Sequence, residues 1–307
     1  MIGPIGGDSG RQPGLNAKMD HPILATPPFI ISAPPLQTAP VVFASPHSGR
    51  SYQPDFLAAA RLDAMGLRRS EDCFVDELFS GVVDQGAPLL AATFPRAFCD
   101  PNREAWELDP AMFDGPLPDW VNTTSSRVGA GLGTIARIVA SGESIYRNKL
   151  RFAEAEGRIH GHWMPYHQAL AALLRATTAQ FGACVLVDCH SMPSQARASA
   201  PDFVLGDAHG TSCTPSITRF VELSLLNLGY AVRRNDPYAG GYVTRHYGRP
   251  REGTHALQIE ISRSLYMDES RFERLEQFDA VRRHLLGVTD ALTKAAPELL
   301  GQSQFPG

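Results

Sequence analysis

The chain has 307 residues, 43% of them hydrophobic, enough to bury a sizeable core as one large α/β domain, and no interior linker divides it. A net charge of −4 leaves no basic excess to neutralise a phosphate backbone, which argues against nucleic acid as a partner. Five cysteines without a CxxC spacing, no apolar run of about 18 residues and no basic-then-apolar N-terminus predict reduced thiols, no membrane span and a cytoplasmic location.

In chain order, residues 1–38 are rich in Gly and Pro with little periodicity, which predicts a mobile or loosely docked arm. The main domain is expected over 39–297, with a short tail over 298–307. Val41-Val42-Phe43-Ala44 reads as a buried strand that ends in Ser45-Pro46-His47-Ser48-Gly49-Arg50, placing His47 where strand meets loop. Ser70 before Glu71 and Asp72, followed by Phe74, Val75, Leu78, Phe79 and Val82, predicts an N-capped helix ending at Gly86. A strand is expected over 89–94, then a loop through Asp100-Pro101-Asn102-Arg103, and an irregular stretch over 110–133 of the kind that lines a site.

A helix over 162–180 presents Tyr166, Leu170, Leu173 and Leu174 on one face. The strand over 183–187 is apolar on both faces and leads into Asp188-Cys189-His190-Ser191, which implies a sheet covered on both sides. Further strands are expected over 202–206, 230–233 and 257–261, with helices over 215–227 and 270–292. The alternation predicts a single-domain α/β fold with a mixed, mostly parallel sheet flanked by helices, whose ligands gather beyond the carboxyl ends of the strands. His47 and His190 both stand there.

Two imidazoles and a carboxylate are the donors a catalytic zinc needs, with a fourth position left for water. Asp72 is the carboxylate that completes His47 and His190, with Glu71 beside it as the alternative; Asp72 can equally be an acid complementing a helix N-terminus. Each histidine taken singly can also be a hydrogen-bonded core residue. Glu260 lies between Ile259 and Ile261, and a carboxylate buried there is costly unless paired or put to use. It suits a general base, the competing reading being a salt bridge to Arg263 or Arg245. Arg103 and Arg245 are candidates for clamping a substrate carboxylate, and Arg245 for holding an oxyanion; either can instead be solvated surface. A serine hydrolase built on Ser48 or Ser191 with His47, His190 or His246 is the weaker scheme, since neither serine sits in a GxSxG elbow.

Several ordered motifs carry a resemblance across most of residues 40–267: Ser45-Pro46-His47-Ser48-Gly49, Glu71-Asp72 with Val75 and Leu78, Asp100-Pro101-Asn102-Arg103, Trp163-Met164-Pro165-Tyr166-His167, Asp188-Cys189-His190-Ser191, Gly241 through Pro250, and Gln258-Ile259-Glu260. In this order they resemble the N-formylglutamate amidohydrolases. The resemblance implies a zinc-carboxypeptidase-like fold shared with aspartoacylases, one zinc per chain on His47, Asp72 and His190, Glu260 as the base, and Asn102 with Arg103 as the carboxylate-binding pair. Asp188, two residues before His190, is expected to orient it. The expected reaction is hydrolysis of N-formyl-L-glutamate, or a related N-acyl acidic amino acid, to formate and L-glutamate, as in histidine degradation. The alternatives are a metal-dependent deacylase or carboxypeptidase-like hydrolase of another N-acyl amino acid, and a non-catalytic binding protein for acidic metabolites.

Overall fold

The computed structural model describes residues 26–195 and 200–301. Its main sheet is built from β1 (Phe29–Ser32), β2 (Val41–Ser45), β3 (Leu89–Ala92), β4 (Cys184–Met192), β5 (Phe203–Gly206), β6 (Val232–Arg234) and β7 (Thr254–Ser262), in the order β1-β3-β2-β4-β7-β5-β6. The central strands β3, β2, β4 and β7 run parallel, whereas β1 is antiparallel to β3 and β5 antiparallel to β7. A small hairpin of β8 (Met267–Asp268) and β9 (Glu273–Arg274) stands apart. The fold is α/β with a mixed, mostly parallel sheet flanked by helices.

The helices are α1 (Pro54–Ala59), α2 (Ala64–Arg68), α3 (Val75–Leu78), α4 (Ser126–Gly129), α5 (Phe152–Arg158), α6 (Met164–Phe181), α7 (Pro215–Asn227), α8 (Tyr242–Tyr247) and α9 (Phe278–Leu299). Side chains alternate across a strand, so each central strand feeds two cores. Val41, Phe43, Val185, Val187, Leu257 and Ile259 join one core with Ile217 and Val221 of α7 and Val281, Leu285 and Leu292 of α9. Val42, Ala44, Cys184, Leu186 and Ala256 join the other, with Tyr166, Leu170 and Leu174 of α6. Covering both faces explains why β2 and β4 read as unbroken apolar runs. Each fully buried aliphatic side chain contributes about 1.5–3 kcal/mol, so the two cores supply the main driving force for folding.

Where the structure departs from the sequence reading, backbone accounting gives the reason. No helix is capped by Ser70: Glu71 and Asp72 are irregular, residues 73–74 form a turn, α3 spans only Val75–Leu78, and a 3-10 turn covers Ser80–Gln85. The Asp72 N–H donates to the His47 carbonyl (3.0 Å), so this stretch is bound to the loop after β2 instead of entering a helical path. Phe74 then takes a left-handed φ of 65°, at a cost of about 1–3 kcal/mol. Of the expected N-terminal arm, residues 1–25 lie outside the described residues, while Phe29–Ser32 is a docked edge strand. Strands β4 and β7 run longer than expected, so His190 lies within its strand. The last helix starts at Phe278 instead of 270, because β9 and the turn after it occupy the preceding residues, and it extends through residue 297 into the expected tail. Helix α8, six residues long, is too short to show a period in the sequence. No helix of the described residues is long and apolar enough to cross a membrane.

Leu285 is 1% exposed on the core face of α9. Leu285→Ala is expected to destabilise the protein by about 2–5 kcal/mol, read as a lower urea midpoint with an unchanged m-value. A loss near zero would show that α9 is not packed on the sheet as described.

Candidate active site

The carboxyl ends of β2, β4 and β7 meet at one edge of the sheet, and their alternation decides what faces the crevice. On β7, Ile259 and Ile261 enter the core, so Gln258 and Glu260 point the other way. On β4, Val187 and Cys189 enter the same core, leaving Asp188 and His190 on the face of Gln258 and Glu260. His190 stands directly opposite Glu260 in the parallel register. His47 follows β2 on a loop whose turn abuts β3's exit: a Cβ on Gly49 would fall 2.1 Å from the Phe94 carbonyl oxygen. Only glycine allows that approach.

His47, Asp72 and His190 converge, all buried, with one ligand atom of each within 4.8 Å of the others. Asp72 Oδ2 lies 3.0 Å from His190 Nδ1 and 3.4 Å from His47 Nδ1. Its Oδ1 accepts from Arg263 Nη2 (3.1 Å). The outer nitrogens are served separately: His47 Nε2 donates to Asp100 Oδ1 (2.7 Å), and His190 Nε2 lies 3.0 Å from Asp188 Oδ1. Asp100 only accepts, so the His47 imidazole carries its proton on Nε2 and turns Nδ1 inward, whereas His190 has a carboxylate within 3.0 Å of each ring nitrogen. Glu71 is equally buried but faces elsewhere, accepting from Arg68 Nε (3.1 Å) and from the Tyr52 hydroxyl (3.2 Å). The structure thus brings Asp72, and not Glu71, to the histidines.

Burial opposes the charge on Asp72, but the hydrogen bond from His190 and the nearby His47 imidazole outweigh it and hold the carboxyl well below its usual range. Burial likewise opposes protonation of His190, and is overcome by Asp188, Asp72 and Glu260, which raise it well above the ordinary histidine value. Glu260 moves the other way: burial and the Asp72 and Asp188 charges push it up to about 7, against the attraction of His190 and Arg96. Its Oε1 accepts from Gln258 Nε2 (2.7 Å), and Gln258 Oε1 accepts from the Gly241 N–H (2.8 Å). The salt bridge from Glu260 to Arg263 or Arg245 does not form, since Arg263 is drawn to Asp72, Ser191 and Glu269 and Arg245 is exposed.

These groups line a cleft of about 390 Å³ that also holds Asn102, Arg103 and Arg245. Arg103 is half-buried, its Nε donating to the Leu132 carbonyl (2.9 Å) and Nη1 to the Asn102 carbonyl (2.8 Å). The Asn102 Oδ1 accepts from the Val243 N–H (2.8 Å), which fixes the amide orientation and turns Nδ2 toward His190 Nε2 (3.1 Å). Arg245 stands at the rim on α8. Sequence reasoning missed Arg96, which lines the cleft and donates to Asp100 Oδ2 (2.7 Å); its only cue was its position just after the β3 strand. Ser48 bonds to Ser45 and Ser191 to Arg263, and among the described residues neither serine is hydrogen-bonded to a histidine, so the serine-hydrolase scheme lacks its geometry.

The family model of N-formylglutamate amidohydrolase matches residues 39–267. The chain belongs to this family. An N-formylglutamate deformylase of Pseudomonas aeruginosa is 31% identical over 260 residues, covering 80% of this chain and 91% of that protein. One of Pseudomonas putida is 29% identical over 238 residues, 75% of this chain and 83% of that protein. A crystal structure of N-formylglutamate amidohydrolase from Ralstonia eutropha JMP134 superposes with a TM-score of 0.83 at 39% identity, covering 89% of this chain and 99% of that one. This amidohydrolase is accordingly an enzyme that hydrolyses linear amide bonds.

The donor set of the amidohydrolase fits a metal ion by a test internal to the structure. His47 Nδ1 is buried without a hydrogen-bond partner, facing Asp72 Oδ2 and His190 Nδ1. A buried orphan nitrogen costs about 1–3 kcal/mol, and a cation between these three atoms would remove that cost. Metal-free His190 holds a proton that a cation at Nδ1 must displace, so affinity should rise with pH. Titration of the metal-free protein with zinc at pH 7 is expected to release about one proton, measured as the dependence of binding heat on buffer ionisation enthalpy. Proton-neutral binding would mean that His190 is not a ligand or is neutral beforehand.

Proposed function

We propose that the protein removes the formyl group from N-formyl-L-glutamate, or a short acyl group from a related N-acyl acidic amino acid, with one zinc held by His47, Asp72 and His190. The observation that carries this reading is the buried His47–Asp72–His190 cluster with Glu260 in register beside His190, in a cleft walled by arginines. The deformylase activity for which the Pseudomonas relatives are named supports it. When bound, zinc supplies the Lewis acidity that polarises an amide carbonyl and acidifies a water.

Glu260 takes the proton of the attacking water and returns it to the departing amine. A carboxyl titrating at about 7 is matched to both transfers at neutral pH. Asn102 Nδ2 carries two hydrogens, and only one of them can be directed at His190 Nε2 (3.1 Å). The Asn102 amide then offers its other hydrogen to the cleft, beside the Arg103 guanidinium, whose Nη2 has no protein partner among the described residues. Together they form a fork for a substrate carboxylate. Arg245, exposed at the rim, and Arg96, inside it, are the remaining guanidiniums available to the substrate's negative charge. The same proposal extends to a cytoplasmic role in histidine breakdown, with a small N-acyl acidic amino acid as partner.

Glu260→Gln keeps shape and neutral hydrogen bonding, and is expected to retain zinc and substrate binding while kcat falls by about 10²–10⁴. Near-normal turnover in folded, zinc-loaded Glu260→Gln would sink the mechanism. Arg103→Ala is expected to raise KM for N-formylglutamate by about 10- to 150-fold, the equivalent of a lost charge-assisted bond, and to affect a neutral N-formyl amino acid much less. An equal effect on both substrates would make Arg103 structural. Release of the free amino acid from N-formylglutamate, compared with N-acetylglutamate and N-formylalanine, separates the deformylase from other deacylases and from a mere binding protein.

A further inference from the structure

The motif Trp163-Met164-Pro165-Tyr166-His167 makes no contact with the metal cluster or Glu260, so the mechanism leaves it unused. Its place in the fold follows from Pro165. Proline has no N–H to give the preceding turn, and here the helix widens into a π turn at Ile159–Trp163, closed by the Met164 N–H on the Ile159 carbonyl, before continuing as α6. Trp163 and His167 are then one turn apart on the same face. Their rings lie 3.9 Å apart, and both side chains donate to backbone carbonyls of one loop: Trp163 Nε1 to Arg103 (3.0 Å), and His167 Nε2 to Pro101 (2.8 Å).

That loop supplies Asp100 to His47 and carries Asn102 and Arg103 into the cleft. The far side of His167 is braced as well, Nδ1 accepting from the Tyr247 hydroxyl of α8 (2.9 Å). The same short helix contributes the Val243 N–H that orients Asn102. Burial keeps His167 neutral, with its pKa at about 4, so one nitrogen donates and the other accepts at working pH. Two donors from one rigid helix therefore hold both carbonyls that flank Asn102 along the chain, at positions 101 and 103.

We infer that Trp163 and His167 are positioning residues for the substrate carboxylate, acting through the carbonyls of Arg103 and Pro101 to set the Asn102–Arg103 fork. The inference rests on the proposed role of that fork. A guanidinium already fixed by its own backbone loses less freedom when it binds, so loosening the loop should weaken substrate more than it slows the chemical step.

The test is a double-mutant cycle in the full-length, zinc-loaded enzyme with N-formylglutamate. Trp163→Phe keeps an aromatic ring and deletes only the indole donor; KM should rise roughly 3- to 10-fold, with kcat within about twofold and one zinc per chain. In an Arg103→Ala background the same change should add almost nothing to KM, because the group it positions is gone. His167→Leu should reproduce the KM effect and His167→Gln, which keeps a donor, should recover part of it; this pair serves also if Trp163→Phe folds poorly. An unchanged KM in folded Trp163→Phe or His167→Leu, or effects that multiply independently with Arg103→Ala, would overturn the inference. A silent Arg103→Ala would overturn the fork itself, and the inference with it.

Discussion

The Asp72 carboxylate is the group around which the rest of the site is arranged. It is 1% exposed, and an ion in such a place is tolerated only when every lone pair is answered. One oxygen faces two imidazoles and the other receives a guanidinium from Arg263, 191 positions away in the chain. Each of those partners needs its own compensation in turn. Asp100 receives His47 on one oxygen and Arg96 on the other, while Asp188, beside His190, accepts from Thr244. The network stays hydrogen-bonded nearly throughout; among the described residues, the buried atoms left without a partner within it are His47 Nδ1, which faces Asp72 and His190, and Asp188 Oδ1.

Stability and chemistry share strands, the chemistry taking the carboxyl end of one face while Leu186 and Ala256 further back on it still pack a core. Along β7, odd-numbered Leu257, Ile259 and Ile261 build the core, and even-numbered Gln258 and Glu260 build the site; β4 divides in the same way. A slip of one residue would exchange Ile259 and Ile261 for Gln258 and Glu260 on β7, or Val187 and Cys189 for Asp188 and His190 on β4, so the apolar core enforces the register of the candidate site. Parallel pairing of β2, β4 and β7 adds the second requirement, since only strands running the same way end at the same edge.

The wall facing this edge comes from chain segments that belong to no sheet strand. The loop through Asp100 and Arg103 is held by backbone carbonyls against α6, and closely packed glycines keep it there. A Cβ on Gly241 would lie 2.4 Å from the Asn102 amide, so α8 can approach the fork only with glycine at that position. Rigid support of this kind is what lets a short loop carry binding groups with fixed aim.

The sequence by itself determined the sheet's central strands, the strand-end placement of His47, the inward parity of Glu260 and the family, because apolar runs, alternation and ordered motifs are local signals. It could not choose between Glu71 and Asp72, adjacent acids of equal charge. That choice was made by the turn tied to the His47 carbonyl and by Arg68, Tyr52 and Arg263, which claim one carboxylate each way. Nor could it show that Arg263 serves Asp72 instead of Glu260, that Arg96 lies within the cleft, or that Arg245 stands at its rim. An arginine's long side chain takes its partner from whatever the fold brings near, and those neighbours are set by chain crossings that leave no periodicity behind. Only the tertiary structure, by bringing distant segments to one sheet edge, decided which charges meet.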